Sequence, residues 1–136
     1  MKLLKSVLII SLLFCGVVAA KNTLESYSVG TIKDGVLHVN AVEAAAILDQ
    51  HAEVIVLDVR TVKEHADQNI QVGLNIDYYG DDFKQQLSTL DKTQTYLVHC
   101  KTGVRSGRTL PIMQELGFTH LMHLDGGIRA WKALGE

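Results

Sequence analysis

The stretch Tyr96-Leu97-Val98-His99-Cys100-Lys101-Thr102-Gly103-Val104-Arg105-Ser106 sets an apolar run directly against a short polar loop that leads into a helical pattern. The apolar run Tyr96 to Val98 predicts a strand over Thr95 to His99 buried on both faces of a parallel sheet. Strand, glycine-bearing loop, then helix is a recurrent way to build an anion cradle. Successive backbone N–H groups turn inward and the helix N-terminus adds partial positive charge. Cys100 stands at the mouth of that cradle, with Lys101 and Arg105 in the same turn. The cradle and the two cations favour thiolate over thiol, and the thiolate is the nucleophile. The plain alternative is a small hydrophobe buried at a strand end, as many free cysteines are. Lys101, Gly103, Arg105 and Ser106 are poor core residues, and their clustering favours a chemical role.

Working outward, Val54-Ile55-Val56-Leu57 is a second continuous apolar run, ending in Asp58. Asn40 is placed to cap an Ala-rich helix from Ala41 to Gln50, and Thr61 to cap a short one reaching Ala66. Val72 to Ile76 is expected as a strand, Asp81 to Leu90 as a helix, His120 to Leu124 as a last strand and Gly127 to Leu134 as a last helix. The helix after the Cys100 loop should stop near Gly117. Pro111 inside it removes a backbone hydrogen bond, so the helix should kink there or start late. Residues 21–39 form a lead segment with no strong pattern. Strands alternating with helices of about ten residues predict an α/β domain with a parallel sheet covered on both faces. Ligands of such sheets sit at the carboxyl ends of the strands, where Asp58, Cys100 and Asp125 fall.

A chain of 136 residues with 47% hydrophobic content is about one domain. Residues 1–20 read as a secretory signal peptide: a basic start at Lys2 and Lys5, an apolar run from Val7 to Val18, and small residues at Ala19-Ala20. The expected protein is exported to the periplasm, cleaved near Ala20 and not held in the membrane, with its domain over 40–136. Cys15-Gly16 raises lipidation as a competing reading, against which the bulky Phe14 argues. Cleavage leaves Cys100 as the one cysteine, without a disulfide partner in the chain. Without Lys2 and Lys5 the 13 basic residues become 11 against 15 acidic ones, a formal charge of −4 that disfavours nucleic acid and anionic lipid.

Four ordered motifs resemble the rhodanese, or sulfurtransferase, family. They are Leu57-Asp58-Val59-Arg60 with Glu64, the Asn75-Ile76 pair, the loop Cys100 to Ser106, and Leu124-Asp125-Gly126-Gly127-Ile128 before Ala130-Trp131. With the leader, the chain is similar to the small single-domain periplasmic type, the phage-shock type included. The resemblance implies a five-stranded parallel sheet between helices and a catalytic cysteine that carries sulfane sulfur as a persulfide. In one place the chain departs from the pattern: Gln68-Asn69-Ile70-Gln71-Val72-Gly73-Leu74 stands where the family usually has Gly-His-Ile and a small turn. The family's phosphatase relatives have a loop one residue longer. Only four residues separate Cys100 from Arg105, and this shorter loop favours a transferred sulfur over a tetrahedral phosphoryl group.

The expected reaction is attack of the Cys100 thiolate on the outer sulfur of thiosulfate or a similar donor, then delivery of the persulfide sulfur to cyanide, a thiol or a protein acceptor. Lys101, Thr102, Gly103, Val104, Arg105 and Ser106 are the candidate binding residues: Lys101 and Arg105 for the donor's charge, the loop N–H groups for the persulfide anion. No metal or organic cofactor is required. Asp58, Arg60 and Glu64 either steady the loop or form ordinary ion pairs, and the second reading is preferred. His99 reads as a packed strand residue. His120 and His123, three apart on a strand, face opposite sides and make a poor metal pair. Trp131 reads as core. A persulfide carrier without turnover needs the same loop, and a cysteine phosphatase is the weaker alternative. Thiol redox repair is weakened by the lack of a resolving cysteine.

Overall fold

The central strand of the sheet is the one that delivers Cys100. The computed structural model describes residues 23–135, so the predicted leader at 1–20, with Cys15, lies outside the described residues. In chain order the elements are β1 (Thr31–Lys33), β2 (Val36–Val39), α1 (Ala41–Gln50), β3 (Ile55–Asp58), α2 (Val62–Asp67), β4 (Leu74–Asn75), α3 (Phe83–Ser88), β5 (Tyr96–His99), α4 (Val104–Glu115), β6 (Leu121–Leu124) and α5 (Gly127–Lys132). A single 3-10 turn, Leu24–Ser26, precedes them. All four residues of β5 are buried, as its unbroken apolar run requires. It pairs in parallel with β3 on one side (Leu57↔Val98) and with β6 on the other (Leu97↔Met122).

The sheet order is β1-β2-β6-β5-β3-β4. Five strands run parallel, as expected, and β1 is added antiparallel to β2 as a sixth. This corrects the reading of residues 21–39 as a patternless lead, because both strands of this hairpin come from it. β2 is part of the core: Val36, Leu37 and Val39 are buried, while every residue of β1 is exposed. Asp34 and Gly35 turn the hairpin with φ of +50° and +74°, the paired left-handed conformation of a tight hairpin turn.

Alternate strand residues face opposite sides. Leu37, Val39, Leu97, Met122 and Leu124 pack with Ala44, Ile47, Ile128 and Trp131 from α1 and α5. On the other face Val36, Leu57, Tyr96, Val98, Cys100 and Leu121 pack with Leu87, Leu110 and Met113 from α3 and α4. Helices thus cover both faces, and Trp131 is core, as read from the sequence. Each fully buried Leu or Val contributes about 1.5–3 kcal/mol relative to exposure.

Both predicted caps form. Asn40 and Glu43 bond reciprocally at the start of α1, and Thr61 and Glu64 at the start of α2. Other elements are shorter than expected. β4 keeps only Leu74 and Asn75, since Val72 is fully exposed and Gly73 rests on the Val56 backbone. α3 begins at Phe83, and α5 ends at Lys132. α4 starts directly after Gly103 and carries Pro111 in its interior, so a late start is not how the chain accommodates it. No helix among the described residues is long and apolar enough to cross a membrane.

Candidate active site

The buried end of β5 fixes the Cys100 backbone, and Gly103 turns the loop back into α4. Its φ of +98° is one that side-chain-bearing residues rarely adopt. The turn aims the Gly103 N–H at the Cys100 Sγ, 3.1 Å away, and α4 brings the Ser106 Oγ to 3.4 Å from the same sulfur. Cys100 is a free cysteine, 1% exposed. Burial opposes its ionisation. Hydrogen bonds from the Ser106 hydroxyl and from the backbone N–H groups of Ser106, Thr102 and Gly103 outweigh that and hold the thiol below its ordinary pKa. The pulled-in loop thus turns its donors on the sulfur, an arrangement that favours the thiolate form.

A second clamp comes from the Gly126-Gly127 turn. The backbone N–H groups of Ile128 and Arg129, opening α5, donate to the carbonyls of Cys100 and Lys101 at 2.9 and 3.0 Å. This approach requires glycine at 127: a Cβ there would sit 2.5 Å from the Cys100 carbonyl oxygen and 2.7 Å from the Lys101 carbonyl. The Leu124-Asp125-Gly126-Gly127 motif thus holds the loop from behind.

Arg105, read from the sequence as a donor-binding residue, also has a partner within the chain. Its guanidinium donates to both Glu64 oxygens at 2.8 Å in a bidentate pair, with the Tyr79 ring 5.6 Å away. The pair lowers Glu64 to about 2 and raises Arg105. Two of the five guanidinium donors are thus already engaged, and Arg105 acts on Cys100 through its charge and by fixing α4 to α2. Lys101 and Val104 are exposed. Lys101 lines a recess of about 220 Å³ with Arg60, Glu64, Asp67, Gln68, Ile128 and Lys132.

Asp58 and Arg60 form a separate buried knot. Arg60 donates from its backbone N and its Nε to Asp58 Oδ1 at 2.9 and 3.0 Å, and from Nη2 to Oδ2 at 2.6 Å. His65 Nδ1 lies 2.9 Å from the same carboxylate. Burial alone would raise the Asp58 carboxyl, and the Arg60 hydrogen bonds reverse it. Asn75 ties the knot to β4 by donating to the carbonyls of Asp58 and Arg60. Of the three acidic and basic candidates, Glu64 alone reaches the loop. His99 is fully buried, and burial pushes its imidazole below the ordinary pKa although Asp58 works against it; its Nδ1–H donates to the Cys100 carbonyl.

The sequence reading missed a chain of polar contacts behind the sulfur. Ser106 Oγ lies 2.8 Å from His123 Nε2, His123 Nδ1 lies 2.9 Å from Asp125 Oδ1, and His38 Nδ1 lies 3.0 Å from the same oxygen. His38 and His123 are register partners across β2 and β6, so a correct β2 assignment was the signal that would have joined them. Burial holds His123 below its ordinary pKa, although Asp125 works against it. Donor atoms of His38, His123 and Asp125 lie within 4.8 Å of one another. Both rings turn Nδ1 to one acceptor oxygen, so both carry a proton there, and hydrogen bonding accounts for the cluster. His120 precedes β6 and takes no part in it.

Residues 40–134 match the Rhodanese-like domain family. The putative sulfurtransferase YtwF of Bacillus subtilis is 27% identical over 99 residues, covering 71% of this chain and 93% of YtwF. The thiosulfate sulfurtransferase PspE of Escherichia coli is 31% identical over 72 residues, 52% of this chain and 67% of PspE. The probable adenylyltransferase/sulfurtransferase MoeZ of Mycobacterium tuberculosis is 44% identical over 45 residues, and the chain spans only 12% of that protein's length. Among solved structures, the rhodanese-related protein of Thermoplasma volcanium superposes with a TM-score of 0.63 at 26% identity, over 72% of this chain and 92% of that one.

Proposed function

The chain belongs to the rhodanese-like domain family, and from that premise we propose that it is a sulfurtransferase working through a persulfide on Cys100. The observation that carries the reading is the buried free sulfur with the Gly103 N–H and the Ser106 hydroxyl trained on it. The Cys100 thiolate attacks the outer sulfur of thiosulfate or a similar sulfane donor. A new S–S bond forms to Cys100, the donor's S–S bond breaks, and sulfite leaves with the electron pair. The loop N–H groups stabilise the persulfide anion until an acceptor, cyanide or a thiol, takes its outer sulfur and returns the thiolate. Similarity to PspE, which is named for thiosulfate, supports that donor.

Arg105 bears on the choice between sulfur and phosphate. Only four residues separate it from Cys100, and this short cradle supports a transferred sulfur over a tetrahedral phosphoryl group. Steady-state kinetics with thiosulfate and cyanide are expected to follow a ping-pong pattern that disappears in Cys100→Ser. A sequential pattern, or turnover surviving Cys100→Ala, overturns the proposal. Export to the periplasm belongs to the same proposal and rests on residues 1–20. An N-terminus near Lys21 in protein recovered from the periplasm supports it, and an uncleaved or Cys15-lipidated chain contradicts it.

A further inference from the structure

The Ser106 hydroxyl has one proton and two neighbours able to accept it: His123 Nε2 at 2.8 Å and Cys100 Sγ at 3.4 Å. Asp125 decides between them. Its carboxylate only accepts, so the His123 nitrogen beside it, Nδ1, carries a proton, and in the neutral ring Nε2 is left bare. Ser106 then donates to Nε2, and its lone pairs face the sulfur, where they suit a thiol S–H. When the ring is protonated, Nε2–H donates to Ser106, and the hydroxyl turns its proton to the sulfur, where it suits a thiolate.

We propose that Cys100, Ser106 and His123 form a proton relay in which thiol and imidazole exchange a proton through the Ser106 hydroxyl, with Asp125 fixing the ring's tautomer. This rests on the reading of Cys100 as the sulfur-carrying nucleophile. In the forward direction the Cys100 S–H bond breaks as an O–H bond forms at Ser106. Ser106's own O–H bond breaks as N–H forms at Nε2, so thiol and imidazole become thiolate and imidazolium with no external acid or base. Ser106 and His123 are positioning residues, since each acts through Cys100. Burial favours such a path: Cys100 is 1% exposed, and His123, its side chain 8% exposed, is the base that the Ser106 hydroxyl reaches inside the fold.

Other charges bias the pair. His38 from β2 shares the Asp125 oxygen and stands edge-on to His123 at 5.2 Å between ring centroids, so a charged His38 disfavours the imidazolium. Arg105 from α4, neutralised in part by Glu64 from α2, favours the thiolate. Lys33 and Asp34, at the end of β1 and in the hairpin turn, line with His123 a cleft of about 280 Å³.

Two measurements on the full chain test the relay: the pH profile of Cys100 alkylation by iodoacetamide, and the pH titration of the His123 ring by NMR. In wild type, replacing Cys100 by Ala is expected to move the His123 midpoint by about one pH unit, the size at which two sites titrate as a pair. In a Ser106→Ala background the same replacement should leave the midpoint in place. Ser106→Ala should also slow alkylation on the acid side of the profile by about tenfold, the equivalent of one pKa unit. Asp125→Ala, at an exposed position, is a second route to the same loss. A His123 midpoint indifferent to Cys100 in wild type, or an alkylation profile unchanged in both Ser106→Ala and Asp125→Ala, overturns the relay. Sulfur loading by thiosulfate at alkaline pH separates the two claims. Loading with unmoved profiles refutes the relay alone, and no loading in wild type refutes the sulfur-transfer reading beneath it.

Discussion

Gly127→Ala is expected to damage the protein far more than a glycine replacement at another left-handed position. Gly127 has a φ of +60° and Gly35 a φ of +74°, so Ala at either incurs backbone strain of about 1–2 kcal/mol. At Gly35 nothing is nearer to the new Cβ than the flexible end of Gln114, at 3.4 Å. At Gly127 the Cβ meets backbone, with the Cys100 carbonyl oxygen at 2.5 Å, so the Cys100 loop and the start of α5 must separate. Separation breaks the Ile128 and Arg129 N–H bonds to the Cys100 and Lys101 carbonyls, each worth about 1 kcal/mol. The sum is about 3–4 kcal/mol for Gly127→Ala against about 1–2 for Gly35→Ala. Urea unfolding measures both, and iodoacetamide labelling of Cys100 reports the displaced loop. If Gly127→Ala is no less stable than Gly35→Ala and Cys100 reacts as in wild type, the clamp reasoning is refuted.

Other expectations follow from single contacts. The Glu64 carboxyl, held at about 2 against an ordinary 4.5 chiefly by Arg105, adds stability that is full above pH 4.5 and lost as pH falls towards 2. That shift corresponds to about 3 kcal/mol, which the 30% exposure of Glu64 discounts to about 1–2. Glu64→Gln should therefore lower the urea midpoint at neutral pH and converge on wild type in acid; a deficit that persists at the acid end contradicts the assignment. Asn40→Ala removes the cap of α1 and should cost about 1 kcal/mol by thermal or urea unfolding, whereas a neutral result would mean that the capping box adds nothing. Leu97→Ala, in the middle of β5 and fully buried, should cost about 2–5 kcal/mol. A loss below 1 kcal/mol would show that the strand is not the packed centre described.

Much of the site was legible because its signals are local. The runs Val54–Leu57 and Tyr96–Val98 announce strands buried on both faces, Asn40 and Thr61 carry capping partners three residues on, and the Cys100 loop lies within seven consecutive residues. The hairpin of β1 and β2 was overlooked, although Asp34-Gly35 between two short runs is a strong hairpin signal. β1 is three exposed residues, so no alternation marks it. The longer-range pairings needed the fold itself. Glu64 and Arg105 are 41 residues apart, and His38 and Asp125 are 87 apart. Each pair meets only because the parallel order brings β3, β5, β6 and β2 to end at one edge. Charge at Arg105 suggested a grip on substrate, and only the tertiary structure shows that two of its donors also hold Glu64.

The most direct test of the central claim is the intact mass of the protein after exposure to thiosulfate and removal of the excess, with the modified peptide sequenced. The account predicts the gain of one sulfur atom on Cys100, released as thiocyanate on adding cyanide and absent from Cys100→Ser. No gain under conditions where Cys100 is readily alkylated, or an equal gain in Cys100→Ser, would contradict it.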